Sequence, residues 1–106
     1  MKRTSSMKDY SPTIESNELF LYASNTSSLY YNMIVPTITS LRKKTAKGVY
    51  DIEKAIDSYY YIACEASKMY NKEFGYSFSV SDRFRAAVEL EKYYRQDNVF
   101  YELELA

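Results

Sequence analysis

The stretch DIEKAIDSYYYIACEASKMYNKEFG, residues 51–75, decides the fold. Asp51 can accept hydrogen bonds from the free amides of a helix start, Glu53 places negative charge in the first turn, and Gly75 supplies a stop. Residues 52–74 between them contain neither glycine nor proline. Ile52, Ile56, Tyr59, Ala63, Ala66 and Tyr70 follow at steps of four, three, four, three and four, which traces one apolar stripe. The spacing predicts a helix over 51–74 that serves as the spine of the domain. It also sorts the three consecutive tyrosines. Tyr59 lies on the stripe; Tyr60, about 100° further round, sits on its flank beside Ile56 and Cys64; Tyr61 turns towards Asp57, Glu65 and Lys68.

Upstream, SSLYYNMIVPTITSLRKKTAKG carries apolar residues at Leu29, Tyr30, Met33, Ile34, Ile38 and Leu41, again at helical spacing. Pro36 lacks an N–H and collides with the carbonyl four residues earlier, so the helix must kink there or divide, with Pro36 in the first turn of the second piece. Val35, Thr37, Ile38 and Thr39 are β-branched and speak for a strand, but Gly48 behind a cationic last turn is a helix ending. A shorter helix is expected to begin at Ser16 or Asn17, run through Leu19, Phe20 and Tyr22, and stop near Asn25-Thr26-Ser27-Ser28. After YSFSV, Ser81 and Asp82 can start a last helix with Phe84, Ala87, Val88 and Tyr94 inward, Leu90 on the flank, and Arg83, Arg85, Glu89, Lys92 and Arg95 in water. The end, NVFYELELA, fits a short strand, a helical extension or an unattached peptide. Residues 1–13 are polar, hold three cations and read as a flexible N-terminal arm. The expectation is an all-α fold: a compact bundle of three to four helices over 14–106.

Composition narrows function. A chain of 106 residues, 46% hydrophobic, supports one modest core and one domain. Fourteen Lys and Arg balance fourteen Asp and Glu, so no global field draws the chain to nucleic acid or anionic lipid, and mimicry of DNA, which needs a strongly acidic surface, is excluded. Near-neutral charge and thirteen tyrosines favour a bound partner or a homo-oligomer. With no apolar run of about 20 residues and no signal-peptide pattern, neither a membrane span nor export is expected; the single Cys64 fits a reducing cytoplasm.

The chain has no histidine, which removes the commonest proton shuttle near neutral pH and the commonest transition-metal ligand. One cysteine cannot build a zinc site, and glycines at 48 and 75 alone cannot form a phosphate-cradling loop. Cys64 reads as a small buried apolar residue. The carboxylate pairs Glu89 with Glu91 and Glu102 with Glu104 are two apart, point to different sides of a helix and read as solvated charges. No enzyme, no cofactor and no metal are therefore expected.

Two surfaces remain. Arg42, Lys43, Lys44 and Lys47 crowd into RKKTAK. They either stabilise the carbonyls of a helix C-terminus or contact phosphates, where roughly three or four neutralised charges would make binding strongly salt-dependent. The tyrosines come as adjacent pairs, 30 with 31, 60 with 61 and 93 with 94, and two neighbours on a helix seldom share a buried stripe. Some must reach the surface, as rim packing or as interface anchors of the kind that dominate binding energetics. Tyr60 and Tyr61, with the four cations, are the candidate partner-binding residues.

Residues 19–75 resemble small uncharacterised helical proteins encoded by bacteriophages and mobile elements: LFLY at 19–22, LYY and IVP, LRKKTAKGVYD, Lys54-Ala55, and ASKMYNKEFG at 66–75. The resemblance covers about half the chain and supplies a setting without an established activity. In that setting the expected action is binding to a host protein or ribonucleoprotein complex, as an anti-defence inhibitor of the anti-CRISPR type. The alternatives are a nucleic-acid accessory protein using the 42–47 cluster and a structural homo-oligomer.

Overall fold

The computed structural model describes residues 11–46, 48 and 50–105, with side chains at 11–44, 48 and 50–95. The expected all-α bundle is present. The elements are α1 (Ile14–Asn25), α2 (Ser27–Leu29), a π-helical segment (Tyr30–Ile34), α3 (Val35–Ala46), α4 (Ile52–Phe74) and α5 (Val80–Leu105). α5 packs against α4, α3 and α1, and α1 also against α4, so the last helix shares the central role expected of α4 alone. The body measures 46 × 32 × 18 Å, so its shortest dimension admits about two helix layers, given a helix diameter of about 10 Å.

The ends of α1, α4 and α5 are set by identifiable hydrogen bonds. α1 is capped by Thr13, whose hydroxyl accepts from the Ser16 amide at 2.9 Å while the Ser16 hydroxyl accepts from the Thr13 amide at 2.7 Å. The start is therefore upstream of Ser16 and Asn17, because only Thr13 can also donate to Asp82 Oδ1 on α5, at 3.0 Å. The Ser11 carbonyl accepts from Arg85 at 2.9 Å; residues 1–10 of the expected arm lie outside the described residues. α4 starts where expected: Asp51 Oδ1 accepts from the amides of Glu53 and Lys54, and Gly75, at φ 72°, stops the helix with its N–H on the Asn71 carbonyl. α5 starts earlier than Ser81: the Ser79 hydroxyl accepts from the Asp82 amide at 3.0 Å, which places Ser81 and Asp82 inside the first turn. Of the three forms open to the C-terminal end, the helical extension is realised, through Leu105.

Pro36 lies second in α3, directly behind the π-helical segment, in which the Val35 N–H reaches the Tyr30 carbonyl. The widened turn inserts one residue into the helical phase. Leu29 and Ile34, five apart, are both buried, and Ile38 and Leu41 continue the inward stripe at steps of four and three. Proline is accommodated without turning the apolar face outward.

The core is built from Leu19 and Ala23 of α1, the α3 stripe, Ile56, Tyr59 and Ile62 of α4, and Val88, Leu90 and Tyr94 of α5, with alanines at 55, 63, 66, 86 and 87. Tyr59 is wholly buried and stacks on Tyr94 at 6.2 Å and 17°. Glu91 is a correction to the sequence reading: it is fully buried, and not solvated. Its carboxylate accepts two bonds from Arg95, at 2.8 and 2.6 Å, and one from the Tyr50 hydroxyl at 2.8 Å. A buried charge is tolerable when paired in this way.

Candidate partner-binding surface

Of the six residues expected at a binding surface, the five that are described fall on two elements, three on α3 and two on α4. Lys43 and Lys44 are exposed in the last turn of α3 and Arg42 is half-buried there; Lys47 lies outside the described residues. Tyr60 is half-buried on α4, 6.3 Å from the Phe84 ring, and its phenol is pushed above 10.0 first by burial and then by the Cys64 thiol. Cys64 itself is only partly buried, against the expectation of full burial. Tyr61 is 62% exposed and makes no ring contact among the described residues. The paired-tyrosine argument holds at all three pairs: Tyr31, Tyr61 and Tyr93 are exposed, and Tyr30, Tyr60 and Tyr94 turn inward.

A richer surface lies at the C-terminal end of α4 and in the YSFSV segment that follows it. Four aromatic residues fall within 70–78: Tyr70, Phe74, Tyr76 and Phe78. Tyr70 and Phe74 are four apart on one helix face, with rings at 4.7 Å. Gly75 then turns the chain, and residues 75–79 carry no helix. Within this segment Tyr76 stays exposed while Phe78 is buried in the core. Asn71 Nδ2 donates to Ser77 Oγ at 2.8 Å and holds the segment against α4. Tyr22 of α1 joins edge-on to Tyr70 and Phe74, at 5.1 and 6.4 Å. Phe74 at 59% and Tyr76 at 45% exposure leave this cluster open to solvent.

Carboxylates border the rings. The Tyr22 hydroxyl donates to Glu73 at 3.0 Å and the Tyr70 hydroxyl to Glu18 at 3.4 Å. Both phenols are raised above 10.0, first by burial and then by these neighbouring carboxylates, so both remain hydrogen-bond donors at neutral pH. An open cleft of about 360 Å³ is lined by Ile14, Glu15, Glu18, Tyr70, Tyr76 and Phe78. Beside it, a hollow of about 390 Å³ is lined by Tyr22, Met69, Lys72 and Glu73. Adjacent apolar rings with polar edges suit contact with another macromolecule. The signal in the sequence was the density of aromatics straddling a helix-stopping glycine.

Among the described residues no helix is long and apolar enough to cross a membrane. No protein-family model, curated protein or solved structure matches the chain.

Proposed function

We propose that the chain is a small non-enzymatic binding protein of a phage or mobile element, which acts in the host cytoplasm by docking on a host macromolecular complex. Its action is steric or conformational inhibition of a defence machine, of the anti-CRISPR type. The observation that carries this reading is the aromatic cluster at the end of α4, where Phe74 and Tyr76 stand exposed on a backing of Tyr22, Tyr70 and Phe78. Large rings held in place are the side chains that anchor interfaces, typically at about 2 kcal/mol or more each when truncated. The phage setting rests on the resemblance over residues 19–75, and the charge balance, which speaks against DNA mimicry, leaves contact and shape as the means of action.

The test is immunity in cells. Expression of the chain in a bacterium whose CRISPR system targets a plated phage should restore plaques, and the Phe74→Ala/Tyr76→Ala double variant should not. The same chain, tagged, should retain one host complex through a wash at about 1 M salt, where screening acts within about 3 Å. Plaques that stay absent together with a wash that elutes everything would refute the reading. Loss of binding only on changing Arg42, Lys43, Lys44 and Lys47 to alanine would transfer it to a nucleic-acid accessory protein.

A further inference from the structure

The cleft beside Tyr76 has walls suited to one kind of occupant. Its three rings meet pairwise nearly at right angles: Tyr70 with Phe78 at 4.9 Å and 68°, Tyr76 with Phe78 at 4.9 Å and 80°, Tyr70 with Tyr76 at 6.4 Å and 78°. All three rings line the one cleft, with Tyr76 the exposed member, and an alkylammonium or guanidinium group set over an open ring face is attracted by its quadrupole. The fourth side is acidic. Glu15 and Glu18, three apart in the first turns of α1, line the same cleft, and among the described residues no lysine or arginine does. Glu18 accepts the Tyr70 hydroxyl through Oε2, which leaves Oε1 for a second donor.

We infer that this cleft, walled by Tyr70, Tyr76 and Phe78 and edged by Glu15 and Glu18, receives a lysine or arginine side chain of the partner protein. The inference rests on the docking function proposed above and names the chemistry that the partner must bring. Electrostatic complementarity selects the occupant: a phosphate or carboxylate would meet two carboxylates, and an apolar side chain would strip them of water without a counter-charge. The cation gains ring faces and a charge-assisted bond together, while its methylene stem lies against Ile14. At about 360 Å³ the space is ample for one such side chain.

The experiment titrates the isotopically labelled full chain with the blocked peptide Gly-Arg-Gly-Lys-Gly and, separately, with Gly-Gln-Gly-Gln-Gly, following backbone amide resonances. The basic peptide should give saturable shifts confined to residues 14–18 and 70–78, and the glutamine peptide none. Tyr76→Leu, which keeps an apolar group and removes the π-face at an exposed position, should weaken binding about five-fold, as should Glu15→Gln/Glu18→Gln. Equal responses to the two peptides, shifts scattered over the surface, or affinities unchanged in both variants would overturn the inference. Such a failure alongside restored plaques strikes the cleft alone. Peptide binding in the cleft without plaques or a captured complex strikes the docking function and leaves the cleft standing.

Discussion

Replacing Arg95 by leucine should destabilise the protein more than replacing the fully buried Glu91, although sequence logic ranks both as surface residues. In the native fold the Glu91 side chain is 0% exposed and that of Arg95 39% exposed. Arg95→Leu removes two hydrogen bonds and the counter-charge from a carboxylate that no water reaches, leaving it the Tyr50 hydroxyl alone. Breaking a buried pair costs about 3–5 kcal/mol. Partial exposure of the guanidinium screens the attraction and Tyr50 still donates, which brings the expected loss to about 2–3 kcal/mol. Glu91→Leu fills similar space and leaves Arg95 and the half-buried Tyr50 with access to water, so it should cost about 1 kcal/mol or less. The double variant should resemble Glu91→Leu, giving a coupling of about 2 kcal/mol. For a domain of this size the larger loss lowers Tm by about 10 °C. Urea unfolding followed by far-UV circular dichroism measures all four proteins. A Glu91→Leu loss equal to or above that of Arg95→Leu would refute the argument that Glu91 is the buried member held by its partners.

Three further outcomes follow from the helix ends and the phenols. Asp51→Ala frees two first-turn amides and should cost about 1 kcal/mol; Gly75→Ala meets no atom within 4 Å of the added carbon, yet should cost a similar amount, about 1 kcal/mol, because φ is 72°. An unchanged urea midpoint in either variant contradicts that account of α4. The phenols of Tyr22, Tyr60 and Tyr70 are all raised above 10.0, burial being the first cause in each. Their contribution to stability is thus complete below about pH 10 and is lost as pH climbs through the raised values. A variant with phenylalanine at all three positions should lose less stability between about pH 10 and pH 12 than the parent chain; parallel losses would remove the phenols from the explanation.

What the sequence made legible was whatever is decided locally. α4 could be read end to end because Asp51, Gly75 and a stripe of constant phase all lie within one segment. Pro36 foretold a break, but not its form: the π-helical turn shows only in the five-residue step from Leu29 to Ile34, which an α-helical template scores as a miss. The caps of α1 and α5 were misplaced by a few residues, since Thr13, Ser16 and Asn17 are all competent caps and the bond from Thr13 to Asp82, across 69 positions, selects among them. Glu91 was misread for the same reason. Its partner Tyr50 is 41 positions away, and no spacing rule within α5 can see it. The alternation of tyrosine pairs was legible because adjacent helical positions diverge whatever the tertiary fold. The α4-end cluster showed in the sequence only as a density of aromatics around Gly75, because its assembly depends on a chain reversal that brings Tyr76 and Phe78 back onto Tyr70.

That reversal is the reason the end of α4, rather than the exposed Tyr61 at its middle, is the surface we propose for docking. A lone tyrosine on a helix gives up rotamer freedom when it docks, at about 0.5–1.5 kcal/mol for an immobilised side chain. Tyr76 has already given up much of that freedom. Gly75 fixes the direction of the turn, the Asn71–Ser77 bond pins the segment, and Phe78, 6% exposed, presents a fixed ring against which Tyr76 packs edge-on. Most of the ordering is thus completed when the chain folds, and a partner gains the contact at lower entropic cost. By the same argument, Asn71→Ala touches no partner directly yet should weaken docking, because it loosens the segment that carries Tyr76.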